Sequence, residues 1–248
     1  MQSIPIQFKN SKGYTLSGLL ELPENPVGFG IFAHCFTCTK NITAAHVISK
    51  TLTEKRCAVL RFDFSGLGES EGVFSDTSLT SNIDDIKSAA RFLEINHEAP
   101  SFLIGHSLGG LASLHAAKDI KNLKGCITLN APSTMVHFKD RISEGIDDNG
   151  NFCTLLDVMG KKFPIKDHFI KDTIQYTNLD LNNLNIPLLV MHLKDDDIVP
   201  FYHATHIMEK AGQLKQLIIL ENMNHLLTKR AYCEEVVDVI EPWLRGVF

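Results

Sequence analysis

Short apolar runs alternate with stretches of helical spacing through most of the chain. Val27 to His34 is a nearly unbroken apolar run holding two glycines. Cys57 to Phe62, Ser101 to Gly105, Gly125 to Asn130, Pro187 to His192 and Gln216 to Leu220 are similar short runs. Runs of this kind predict strands buried on both faces. Between them, apolar residues recur at helical intervals. Examples are Ala44, Val47, Ile48 and Leu52 within Asn41 to Lys55, and Ile83, Ile86, Ala90 and Leu93 within Leu79 to Leu93. Leu108 to Ile120, Phe201 to Ala211 and Ala231 to Leu244 also read as helices. Ile4 to Lys9 and Tyr14 to Leu22 flank the turn cluster Asn10-Ser11-Lys12-Gly13, which predicts an antiparallel hairpin at a sheet edge. Strands alternating with helices predict an α/β fold: a mostly parallel central sheet with helices on both faces.

One segment breaks the alternation. Ala131 to Asn185 separates two predicted strands by far more than the ordinary connection of about 4–6 residues. Within it, Val136 to Ile146 reads as helical, and Met159-Gly160-Lys161-Lys162 lies between apolar runs in a hairpin-like pattern over Phe152 to Ile165. The expectation is a single domain over 1–248, with 131–185 a small cap inserted over the sheet edge.

Composition narrows the function classes. A chain of 248 residues with 44% apolar content can bury a sizeable core. The net charge of −5 and the lack of a long basic run argue against nucleic acid as a partner. With no run of 18 apolar residues, no membrane partner is expected. The first ten residues lack the basic start and apolar core of a secretory signal. The six cysteines, at 35, 38, 57, 126, 153 and 233, are therefore expected to sit in a reducing cytoplasm without a disulfide framework. Cys35 and Cys38 form a C-x-x-C, but no second pair and no thioredoxin-like frame accompany it, so neither metal nor redox chemistry is expected there. A homodimer is one assembly the sequence allows.

The chemistry centres on Gly105-His106-Ser107-Leu108-Gly109. An apolar run precedes this Gly-x-Ser-x-Gly, and helical spacing follows it, which is the context of a nucleophile elbow. A serine on so tight a strand-to-helix turn takes strained backbone angles. Side chains two positions to either side would collide, and glycine removes them. Ser107 then needs a base and an orienting acid. Partners should lie just past strand ends. After the strand ending at His192 comes Asp195-Asp196-Asp197, and after the strand ending at Leu220 comes His225. Spacing alone does not choose among the three aspartates. An oxyanion hole needs two backbone donors. Leu108 N–H follows the nucleophile, and Phe36 N–H lies in the loop after the Val27 to His34 strand. Among the eleven histidines, His106 is expected to pack beside the nucleophile, with His203 and His206 on a helix. No His/Cys/Asp set has zinc spacing, and no cofactor is implied.

These motifs resemble those of α/β-hydrolase-fold serine hydrolases over the whole chain. Arg61-Phe62-Asp63-Phe64-Ser65-Gly66-Leu67-Gly68-Glu69-Ser70 matches the Asp-x-x-Gly-x-Gly-x-Ser stretch common in that fold. His192-x-x-x-Asp196-x-x-Val199-Pro200 resembles the family's acid motif, and that register selects Asp196. Two departures stand out: Leu193 occupies a usual glycine, and Cys35 replaces the glycine of the His-Gly oxyanion motif. Phe32 to Lys40, the Arg61 stretch and Met223 to Thr228 are similar to hydrolases fused ahead of osmotically induced, peroxide-reducing domains. The chain is also similar to compact cinnamoyl and feruloyl esterases, which carry a hairpin-containing insert. The resemblance implies a carboxylic-ester hydrolase with Ser107 as nucleophile, His225 as base and Asp196 as acid, acting on a small-molecule ester without a cofactor. Met135, Phe138, Phe152 and Ile198, with Phe36, are expected to line an apolar pocket. The same triad serves thioesterases, acyltransferases and small-peptide hydrolases. A non-catalytic ligand receptor would predict a broken triad.

Overall fold

A computed structural model describes residues 1–146, 150–158, 160–181 and 184–248. Its strands are β1 (Gln2–Lys9), β2 (Thr15–Leu22), β3 (Gly28–Ala33), β4 (Cys57–Phe62), β5 (Phe102–His106), β6 (Gly125–Leu129), β7 (Ile142–Ile146), β8 (Phe152–Val158), β9 (Lys161–Ile165), β10 (Leu188–Leu193) and β11 (Lys215–Leu220). The α-helices are α1 (Thr43–Glu54), α2 (Leu79–Asn96), α3 (Leu108–Ala116), α4 (Asp167–Gln175), α5 (Tyr202–Lys210) and α6 (Arg230–Val247). Among the described residues, eight strands form one sheet in the order β1-β2-β4-β3-β5-β6-β10-β11. The first hairpin pairs antiparallel at one edge, as expected, and β2 also meets β4 antiparallel. From β4 to β11 every pairing is parallel.

Strand alternation divides the core between two faces. Leu103, Leu188 and Val190 face the cluster that holds α2, α3 and α5. Phe102, Ile104, Leu189 and Met191 face α1 and α6. The inner strands are buried throughout, which is why they read as continuous apolar runs.

The strand order also decides where a site can form. From β3 the chain moves outward to β4, then returns to lay β5 on the other side of β3. This reversal opens a crevice at the carboxyl ends of β3 and β5, where loops diverge and ligands bind in open α/β sheets. Ala33, at the end of β3, pairs with Gly105. The loop carrying Phe36 and the turn carrying Ser107 therefore lie side by side.

The 131–185 insert differs from expectation in part. Val136–Arg141 is a 3-10 helix, and Ile142–Ile146 is a strand rather than the continuation of a helix. Ile142 pairs with Leu156, so a partner strand outweighs a weak local helical pattern. The Phe152 to Ile165 hairpin forms as β8 and β9, with Met159 outside the described residues. Helix α4, nine residues long, is an element not expected from the sequence, although Ile170 and Ile174 stand at helical spacing within it. The third correction concerns the cysteines: Cys35 and Cys38 are joined by a disulfide, while Cys57, Cys126, Cys153 and Cys233 are free. The four-residue turn from Cys35 to Cys38 brings the two sulfurs together. Among the described residues, no helix is long and apolar enough to cross a membrane.

Candidate active site

Ser107 sits between β5 and α3 at φ 53° and ψ −123°. Few L-residues adopt such angles, and the sharp turn requires them here. A Cβ at residue 105 would come within 2.4 Å of the Gly109 carbonyl oxygen and the Gly110 Cα. One at residue 109 would come within 2.3 Å of the Ala33 carbonyl oxygen and 2.4 Å of that of His34. Glycine at 109 thus lets the start of α3 press against the end of β3. That contact sets the Leu108 N–H next to the Phe36 loop. Among the described residues, neither the Phe36 nor the Leu108 N–H donates to another group of the protein.

The hydroxyl of Ser107 lies 3.0 Å from His225 Nε2, and His225 Nδ1–H donates to Asp196 Oδ2 at 2.7 Å. All three are buried, with Ser107 7% exposed. Of the acidic triplet, Asp195 and Asp197 are exposed and only Asp196 turns inward. Its second oxygen accepts the N–H groups of Ile198 and Val199, each at 2.9 Å. Burial pushes the Asp196 carboxyl upward. The hydrogen bond from His225, the imidazole's charge and the two N–H groups outweigh it, so the net shift is below the usual range. The acid is therefore ionised and aimed at Nδ1, which leaves Nε2 free to accept the Ser107 proton.

His106, packed beside Ser107 as expected, holds this arrangement in place together with Asn130 and His192, whose hydrogen bonds the sequence does not show. His106 donates through Nε2 to the His225 carbonyl at 2.8 Å, and Asn130 Nδ2 donates to the same oxygen at 3.1 Å. Asn130 Oδ1 accepts from Leu193 N–H at 2.9 Å, so one amide ties three strand ends together. Burial lowers His106 to about 3, keeping it neutral beside the base. His192 Nε2 donates to Val199 O at 2.8 Å and steadies the turn that carries Asp196. The signal for Asn130 was its place at the end of β6, where a polar residue follows an apolar strand.

The Phe36 loop is anchored at both ends. His34, lowered to about 4 by burial, donates through Nδ1 to Cys35 O at 2.8 Å and accepts Phe64 N–H through Nε2 at 3.3 Å. Downstream, Asp63 accepts the Lys40 backbone N–H and the Lys40 ammonium, each at 2.6 Å. This pair is buried, and it explains why Asp63 heads the Asp-x-x-Gly-x-Gly-x-Ser stretch: Gly68 leaves no side chain where Asp63 sits.

The expected pocket residues separate. Met135 and Phe138 are buried and line an apolar cleft with Ile142, Leu156 and Phe169. Ile198 is half-buried beside Asp196. Phe152 is 86% exposed on the insert and does not line that cleft. Three aromatic residues not singled out from sequence surround Phe36. Its ring lies 5.4 Å from Phe74, 6.2 Å from Phe163 and 5.8 Å from Phe169, the last two from the insert. Among the described residues, no group of three or more His, Cys, Asp or Glu side chains is placed to hold a metal ion.

Comparison with known proteins finds relatives of the same fold. An esterase domain from a Rhodothermus marinus protein is 34% identical, with a TM-score of 0.82 and 99% of each chain covered. Est1E from Butyrivibrio proteoclasticus, solved with ferulic acid bound, shares the fold at 22% identity, a TM-score of 0.80 and 98% coverage of each chain. Human mitochondrial palmitoyl-protein thioesterase ABHD10 is 25% identical over 222 residues, 85% of this chain and 71% of that protein. The chain spans about two thirds of the length of the first curated relatives it matches (66%). The family model described as serine aminopeptidase, S33, matches residues 32–156. That match runs from the Phe36 loop through the Ser107 elbow into the insert, and the chain accordingly belongs to the Hydrolase_4 family of α/β-hydrolases.

Proposed function

We propose that this hydrolase cleaves carboxylic esters through an acyl-enzyme on Ser107. The observation that carries the reading is the unbroken relay from Ser107 Oγ to His225 to Asp196, at 3.0 and 2.7 Å. In this mechanism His225 Nε2 takes the Ser107 proton as Oγ attacks the ester carbonyl. Asp196 holds the tautomer and stabilises the imidazolium. The Phe36 and Leu108 N–H groups receive the oxyanion. His225 returns the proton to the leaving alcohol, then activates water to clear the acyl group. The aromatic group around Phe36 favours an apolar acyl portion, with 131–185 acting as the cap.

A thioester is the second reading, favoured by the similarity to ABHD10, a palmitoyl-protein thioesterase. Initial rates on p-nitrophenyl acetate through octanoate, with matched thioesters, test both. Ser107→Ala should lose the rate by several orders of magnitude. Equal rates in wild type and Ser107→Ala would remove the assignment. A preference for thioesters at equal chain length would select the second reading.

A further inference from the structure

The Cys35–Cys38 disulfide spans the residue whose N–H is the oxyanion donor from the β3 loop, and we infer that this pair is a thiol–disulfide modification site that sets the orientation of that donor. The inference rests on the esterase reading. The Phe36 N–H belongs to the Cys35–Phe36 peptide, which is planar, so the direction of the Cys35 carbonyl dictates that of the N–H. Two hydrogen bonds hold that carbonyl: His34 Nδ1–H at 2.8 Å and Cys38 N–H at 3.2 Å. The second closes a four-residue turn, Cys35 to Cys38, and the disulfide closes the same turn covalently. Inside it, Thr37 has φ +58°. That region is disfavoured for a β-branched residue, which stays there only when its surroundings over-determine it. The glycine usual after the His of this motif is absent, and a cross-linked cysteine stands in its place.

With the bond cut, Thr37 is free to return to negative φ. Cys38 N–H then leaves Cys35 O, and the peptide bearing the Phe36 N–H rotates. Cys35 is buried and Cys38 is partly exposed, so an incoming thiol meets Cys38 first. Its thiolate attacks Cys38 Sγ, the S–S bond breaks, and Cys35 departs as a thiolate that takes a proton. A second thiol then attacks the mixed disulfide and releases Cys38 as a thiol. The protein gains two electrons and two protons, and two small thiols become one disulfide. The reverse exchange with a small-molecule disulfide restores the bond. The free thiols at Cys57, Cys126 and Cys233 are buried, and burial raises them to about 11, 12 and 11, which leaves them unreactive under the same conditions.

The test is p-nitrophenyl butyrate hydrolysis by the full chain in reduced or oxidised dithiothreitol, with Ser107→Ala as the blank. Loss of a whole oxyanion donor costs about 10²–10³ in kcat, so misorienting one should lower kcat by about 10-fold on reduction and leave KM within about 2-fold. Oxidised dithiothreitol should restore the rate. Cys38→Ser should sit at the reduced rate and ignore the reagent, while Cys153→Ser should respond like wild type. A Ser107-dependent rate that is the same in both states, with mass spectrometry showing two hydrogens gained, overturns the inference and leaves the esterase reading intact. Failure of dithiothreitol to reduce the pair also overturns it. A rate that does not depend on Ser107 removes the esterase reading, and this inference with it.

Discussion

At Asp196 one step along the chain separates a buried acid from two solvated ones. Its neighbours Asp195 and Asp197 are exposed, while Asp196 accepts from His225 and from two backbone N–H groups. Asp196→Asn keeps the shape but presents an amide to Nδ1, favouring the tautomer that cannot take the Ser107 proton. It should lower kcat by about 10⁴-fold, whereas Asp195→Asn and Asp197→Asn should stay close to wild type. Steady-state kinetics on one ester decides this, and equal losses at all three positions would sink the assignment. Gly109 supports a second residue-scale prediction. The methyl of Gly109→Ala would press on the Ala33 and His34 carbonyl oxygens at 2.3 and 2.4 Å, forcing α3 away from the β3 loop. The two oxyanion donors then separate. The expected outcome is about 10²-fold loss of kcat, with about 1–3 kcal/mol loss of stability from the strain. Denaturant titration beside kinetics checks both parts, and a fully active Gly109→Ala would show that the donors do not depend on this contact. The strained turn at Ser107 and its need for Gly105 and Gly109 were legible because the elbow is a local steric rule, written in five consecutive residues. Asn130 was not, because its two partners, Leu193 at the end of β10 and His225 after β11, come from distant parts of the chain.

At the scale of elements, the insert packs into the core beside the main sheet and is also tied to α2 and α3 by polar and ring contacts. Thr80, near the start of α2, donates its backbone N–H to Asp172 of α4 at 2.9 Å, and its hydroxyl bonds both Asp172 and Tyr176. The Tyr176 ring in turn meets His115 of α3 at 4.7 Å. These contacts clip α4 to the two helices behind the nucleophile. Thr80→Val removes the hydroxyl bonds and keeps the volume. Because the site is exposed, the stability loss should be only about 1 kcal/mol. The KM for p-nitrophenyl octanoate should rise more than that for acetate, since a loosened insert affects the longer acyl chain first. A uniform change in KM across the series would show that the insert does not read chain length. Strand β7 escaped the sequence pattern because it is short and is held by β8, a partner that local periodicity does not encode.

Over the whole molecule, buried histidines couple folding to acidity. Burial lowers His34 and His115 to about 4 and His106 to about 3, and it lowers His192 as well. In the unfolded chain these groups protonate near 6.5. The unfolded state therefore binds more protons between those values, and stability falls as the pH is lowered from 6.5 toward 4. His34 alone corresponds to about 3 kcal/mol across that interval. Asp85 works in the opposite direction. Burial raises it to about 6, against hydrogen bonds from Asn10 and Ser65, so its contribution is full below about 4 and is lost as the pH rises through 6. Urea denaturation from pH 4 to 7 should show stability rising with pH, because the histidines outnumber the one acid. The advantage of wild type over Asp85→Asn should shrink over the same range. A flat profile would mean that these histidines are solvated in the folded state. The sequence by itself determined the α/β class, the strand–helix alternation, and the Ser, Asp, His order past the ends of three strands. Each of these is carried by neighbouring residues: burial on both faces makes an apolar run, an amphipathic helix makes a three- and four-residue rhythm, and an elbow needs its glycines. Tertiary structure alone decided which strand ends meet at the β3–β5 crevice, how the insert folds into β7, β8 and β9, which aromatic rings gather around Phe36, and that Cys35 and Cys38 close on each other. Those features depend on contacts between segments far apart in the chain, or on a loop held from both ends, and no local pattern of apolar and polar residues records them.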